Sequence, residues 1–141
     1  MKVPMVTGTE QKDLAIINEA LRKLGRGTPK HLTWFIKNSI VAGTDVCGYL
    51  KTTFSGRVVS AFARFKTAPT GCAAVIDINK NGTSIFTTPM SVAATTTEQT
   101  SMDFIDNKIT IGDGFTLDID TIGSTIAGAG LTVILTLEAN V

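Results

Sequence analysis

Six aspartates, Asp77, Asp103, Asp106, Asp113, Asp118 and Asp120, lie in the C-terminal half of the sequence and are the residue types best suited to chemistry. Asp118 and Asp120 stand two apart in an alternating run, so on a strand their carboxylates project from one face. Such a pair has two chemical uses, as part of a calcium site or as the acid and nucleophile of a glycosidase. Calcium takes about six to eight oxygens converging from a loop, and the sequence holds no EF-hand or repeated spacing that would gather them. A glycosidase needs its carboxyls about 5–9.5 Å apart in an aromatic-walled cleft. With one Trp and one Tyr, Trp34 and Tyr49, the chain does not build that cleft. The aspartates are therefore expected as solvated strand-face and turn residues, without a metal.

The remaining candidates are poorer. His31 is the single histidine, and no local motif supplies the nucleophile and orienting acid that would make it a general base. Cys47 and Cys72 lack CxxC spacing and sit among apolar or small neighbours, which predicts buried free thiols. Neither Gly25-Arg26-Gly27 nor Gly128-Ala129-Gly130 completes a phosphate-binding or nucleophile motif, and both read as turns. Arg57, Arg64 and Lys66 share a run with Phe62 and Phe65, the raw material of a single-strand nucleic-acid platform. Alternation places Phe65 opposite Arg64 and Lys66, however, and the whole chain is near neutral. No catalytic residue and no cofactor are expected, and the chain reads as a binding or structural protein rather than an enzyme.

Two kinds of element position these residues. From Thr9 to Leu24, Leu14, Ile17, Leu21 and Leu24 recur at steps of three, four and three, with Ile16 and Ala20 widening the stripe. That spacing predicts an amphipathic helix of about four turns, N-capped by Thr9 and ended by Gly25-Arg26-Gly27-Thr28-Pro29. So short a helix needs a surface to cover its stripe, and the glycine-rich stretch lets it reach another chain. We therefore assign Leu14, Ile17, Leu21 and Leu24 to partner contacts.

Beyond Lys30 the runs are short, alternating or apolar, and rich in β-branched and aromatic residues. Strands are expected near Thr33–Val41, Val46–Thr52, Gly56–Lys66, Ala73–Lys80, Thr83–Thr87, Thr100–Ile105, Gly114–Ile122 and Leu131–Glu138. Asn81-Gly82 predicts a type I′ hairpin turn, and Thr95–Thr100 an exposed loop or edge. The fold class is thus mainly β, a β-sandwich of jelly-roll type, with a short N-terminal amphipathic helix. Residues 1–30 form the helical arm and linker, and residues 31–141 the sandwich domain.

Composition sets outer limits. A chain of 141 residues is one domain by length. Thirteen Lys and Arg against 12 Asp and Glu leave a net charge of +1, which argues against nucleic acid as a partner. The first residues carry no apolar signal core, which implies residence in a cytoplasm after synthesis. Glycines interrupt the most apolar stretch, Ile122–Leu137, so no membrane span is expected.

One similarity adds information. The ordered series KTAPTG (Lys66–Gly71), DINKNGTSIF (Asp77–Phe86), GDGFTLDIDTIGST (Gly112–Thr125) and GLTV (Gly130–Val133), within Gly56–Leu137, closely resembles a β-domain of tailed-bacteriophage virion proteins. Modules of that kind occur in head decoration proteins, head fibres and tail-fibre or baseplate components. The resemblance implies a capsid decoration, or cement, protein made in the host cytoplasm and carried on the capsid surface. Its partners would be the major capsid protein and copies of itself, in a trimer rather than a dimer. A head-fibre or tail-associated protein is the alternative, and a carbohydrate-binding module using Trp34 a remoter one. The resemblance carries over no catalytic or cofactor residue.

Overall fold

A computed structural model describes residues 28–140, and among these every regular element is a strand. In chain order they are β1 (Thr28–Ser39), β2 (Leu50–Lys51), β3 (Gly56–Thr67), β4 (Ala74–Lys80), β5 (Thr83–Ser84), β6 (Met90–Val92), β7 (Glu98–Ser101), β8 (Lys108–Ile109), β9 (Gly114–Thr121) and β10 (Ala129–Ala139). They form two antiparallel sheets. Sheet A has the order β1-β10-β3, with β7 and β8 sharing the free edge of β3. Sheet B has the order β2-β9-β4, with β5 and β6 sharing the free edge of β4.

Side-chain alternation is what makes these sheets stack. On β10, Leu131, Val133, Leu135 and Leu137 point inward, and on β3 Ala61, Ala63 and Phe65 do the same. Sheet B answers with Ile76 and Ile78 from β4 and Phe115, Leu117 and Ile119 from β9, all buried. Burying each large aliphatic or aromatic side chain contributes about 1.5–3 kcal/mol, so these rows dominate the stability. Both flanks are closed. On one, Phe86 stacks on Phe104 with ring centroids 5.6 Å apart, and Thr87 bonds Asp103. On the other, residues 40–49 run beside β9, where Gly43 and Val46 donate to Ile119 and Leu117, and the Trp34 indole donates to Gly48.

The long alternating strands fall where the pattern puts them, and Asn81-Gly82 forms the tight turn between β4 and β5 with φ of 52° and 89°. The short elements differ. β1 starts at Thr28, five residues before the expected Thr33, because Thr28–Leu32 pair with Leu135–Ala139 of β10. Val46–Thr52 shrinks to Leu50–Lys51, since Asp45 and Gly48 take left-handed φ values and break the extended run. β6 and β8 were not expected, being two or three residues long and therefore without a readable period. The edge strand expected at Thr100–Ile105 lies at Glu98–Ser101, where Glu98 faces Arg64. The amphipathic helix and its Leu14, Ile17, Leu21 and Leu24 stripe lie outside the described residues. Among the described residues no helix is long and apolar enough to cross a membrane.

Candidate functional site

The outward side chains of the two sheets make two chemically distinct surfaces. On sheet B, β4 and β9 pair Asp77 opposite Asp118, and a bulge between Ile119 and Thr121 pushes Asp120 out beside them. One carboxylate oxygen from each of Asp77, Asp118 and Asp120 lies within 4.8 Å of the other two. Alternation joined Asp118 to Asp120 but gave no sign of Asp77, which only the β4–β9 register brings in.

Much of this cluster is satisfied by its own surroundings. Asp118 accepts the Asp45 backbone N–H at 2.9 Å through Oδ1 and the Asn79 amide through Oδ2. Asp77 accepts the Ser84 hydroxyl at 2.6 Å. Asp77 and Asn79 are buried despite facing outward, and a buried carboxylate needs such donors. Burial pushes the Asp77 carboxyl above the ordinary carboxylate range. The Ser84 hydroxyl and the Ile78 N–H oppose the shift, and the Asp120 and Asp118 charges reinforce it. Asp120 is raised too, by burial and then by Asp118. Three oxygens at this spacing have the chemistry to take a cation. Two of the three carboxylates already carry protein donors, which identifies them first as members of a structural network.

A second polar group closes the end of the sandwich where β1 begins. Lys80 Nζ lies 2.6 Å from Asp106 and 4.0 Å from Asp113, and donates to the Lys108 carbonyl at 2.8 Å. Asp113 accepts the Thr110 N–H at 2.8 Å and the Asn81 amide at 3.0 Å, while Asn81 also accepts the Gly114 N–H. Burial would raise the Asp113 carboxyl, but the Thr110 N–H, the Asn81 amide and the Lys80 charge together hold it below its ordinary value. These bonds pin the hairpin turn to the start of β9. Asp103, with Thr87, and Asp106 are likewise engaged in structural bonds.

The outward face of sheet A mixes threonines with apolar and basic side chains. One row across it runs Thr33, Ile134, Phe62 and Thr100, and the next runs Phe35, Thr132, Arg64 and Glu98. Phe35 is 60% exposed, and with Lys37, Arg64 and Lys66 it lines a shallow groove over Gly130. Arg64 pairs with Glu98 at 3.6 Å, whereas Arg57 pairs with Glu138 at 2.8 Å near the opposite end of β3. Phe62, Arg64 and Lys66 share one strand and are grouped by spacing alone, whereas Phe35 and Ile134 carry no such signal and join them only through the pairing of three strands. Phe65 points into the core, as alternation requires.

The other singled-out residues are dispersed. His31 is exposed on β1, with Nδ1 3.3 Å from the Thr136 hydroxyl. Trp34 is buried in the core at 3% exposure, which removes it as a glycan platform. Cys47 and Cys72 are free thiols but only half-buried, because each sits at the rim of the sandwich rather than within it. The Cys72 thiol donates to the Ile122 carbonyl, and burial followed by the Asp45 charge raises Cys47. Gly128 and Gly130 take left-handed φ values where the chain turns into β10.

No protein-family model and no curated protein matches the chain. Solved structures do. A chain from the capsid of Ralstonia phage GP4 is similar to it at 15% identity, with a TM-score of 0.50 over 82% of this chain and 86% of that one. The Drosophila NLP core covers 80% of this chain and 99% of its own at 7% identity and a TM-score of 0.46. A family 35 carbohydrate-binding module from Clostridium thermocellum covers 78% and 97% at 15% identity and 0.43. At these identities the likeness is one of fold, and the fold of the described residues is a two-sheet β-sandwich of a kind that a phage capsid also contains.

Proposed function

We propose that this chain is a structural protein of a tailed-phage virion, acting by binding rather than catalysis, and more narrowly a decoration protein that cements the major capsid protein shell. The observation that carries the reading is the ordered motif series. KTAPTG, DINKNGTSIF, GDGFTLDIDTIGST and GLTV fall on the turns and strands that build both sheets. The backbone likeness to a chain of a phage capsid over most of both chains supports it. In this reading the connectivity is of jelly-roll type. The domain bridges neighbouring capsid subunits through its outward faces, and its copies associate as a trimer. A protein that binds only the closed shell stabilises it by mass action, without an active site.

The experiment is to purify the virion, count this chain against the major capsid protein by quantitative mass spectrometry, and locate it in a reconstruction. A count in fixed ratio to the capsid lattice supports decoration, and virions lacking the chain should then lose heat resistance. A count set by the symmetry of the tail would move the chain to a fibre or tail role. Absence from the particle would overturn the virion reading. The glycan reading lost its platform when Trp34 proved to be a core residue.

A further inference from the structure

The outward face of sheet A exposes Phe35 diagonally beside the half-buried Ile134 and Phe62, and the sequence upstream of β1 holds the apolar stripe Leu14, Ile17, Leu21 and Leu24. We propose that residues 9–24 dock on this face of their own chain, with Leu14, Ile17, Leu21 and Leu24 over two neighbouring rows, the one that holds Ile134 and Phe62 and the next that holds Phe35. The inference stands independently of the virion reading. It departs from the expectation that the stripe reaches another chain.

Connection length selects the face. Thr28 begins β1 opposite Ala139, and residues 25–27 carry the chain at most about 14 Å between Leu24 and Thr28. Packed layers sit about 10 Å apart, so that reach allows a reversal onto the outside of sheet A. The outside of sheet B lies two layers further, beyond the core, and is out of range. A segment reversing at Gly25-Arg26-Gly27 runs antiparallel to β1. As the helix its spacing predicts, Leu14 to Leu24 spans about 15 Å, which matches the roughly 13 Å from His31 to Phe35 along the strand.

Charge agrees with that direction. Lys37, Arg64 and Lys66 cluster at the far end of the face, where the segment's beginning, with Glu10 and Asp13, would arrive. At the near end, where Arg22 and Lys23 would arrive, Glu138 is already paired with Arg57, so no basic excess meets them there. The opposite direction would set Arg22 and Lys23 against Lys37 and Lys66. The short connection also holds the stripe near its own face at an effective concentration in the millimolar range, which favours the same chain over a second copy.

The test is limited trypsin cleavage of the full chain at Arg22 and Lys23 over a dilution series. Cleavage of a docked segment follows the population of its open form, so Leu21→Asp should speed it about tenfold or more. Phe35→Asp should do the same while the melting temperature of the sandwich stays nearly constant, and Lys37→Glu with Lys66→Glu should speed it about twofold to threefold. Should Phe35→Asp unfold the sandwich, Thr132→Arg on the same row replaces it. Wild-type cleavage independent of protein concentration is the expected result. Cleavage as fast as in Leu21→Asp, or protection that survives both face variants, overturns the proposal. Protection that rises with concentration also overturns it and assigns the stripe to a second copy.

Discussion

The two outward faces of the sandwich are built on the same backbone scheme and do opposite things with it. Sheet B turns polar side chains toward each other: Asp118 receives donors from Asp45 and Asn79, and Asp77 receives one from Ser84. Sheet A leaves Phe35 open to solvent and concentrates Lys37, Arg64 and Lys66 at one end. A face whose polar groups bond inward is already satisfied and gains little from a partner. A face that exposes apolar area gains when that area is covered. The comparison places the structural contribution on sheet B and the capacity for contact on sheet A.

The comparison breaks first at Asp118. Asp118→Ala should cost about 2–3 kcal/mol in urea unfolding, because the Asn79 amide and the Asp45 N–H lose their acceptor in a partly buried setting. Thr132→Ala, on the corresponding central strand of sheet A, should cost less than about 0.5 kcal/mol. Equal costs would mean that the faces do not differ in this way. Next is Asp113→Ala, which unties the hairpin from β9 and should cost about 1–2 kcal/mol, read as a lower melting temperature.

Acid titration sharpens the contrast between the two carboxylate groups. Asp113 is held low in the folded state, so its stabilisation is present above the unfolded carboxylate value of about 3.9 and is lost as pH falls through its lower folded value. Asp120 is raised, so the folded chain takes up its proton first, and stability from this group declines as pH rises through the folded value. Asp120→Asn should therefore stabilise by about 0.2–0.5 kcal/mol at neutral pH, with the gain vanishing below about pH 4. Asp113→Asn should show the reverse, a loss at neutral pH that fades in acid. The smallest effect is the exposed Arg64–Glu98 pair. A double-mutant cycle there should give about 0–0.5 kcal/mol and fall further in high salt, since solvent screens both groups.

Period and turn chemistry made β3, β4, β9, β10 and the Asn81-Gly82 hairpin legible from the residues alone. Each long strand buries alternate residues in one core, and Asn-Gly tolerates the positive φ the turn requires. The same rule placed Phe65 inside and paired Asp118 with Asp120. Tertiary structure decided the rest. Two- and three-residue strands such as β8 and β6 exist because a neighbour offers a free edge, which no local pattern records. Trp34 entered the core because β1 is an edge strand covered by residues 40–49. Asp77 met Asp118 and Asp120, and Phe35 met Ile134 and Phe62, only when register set residues far apart in sequence side by side. Alternation fixes which face a residue takes; which residues become its neighbours on that face depends on strand order and register, which are properties of the assembled sheet.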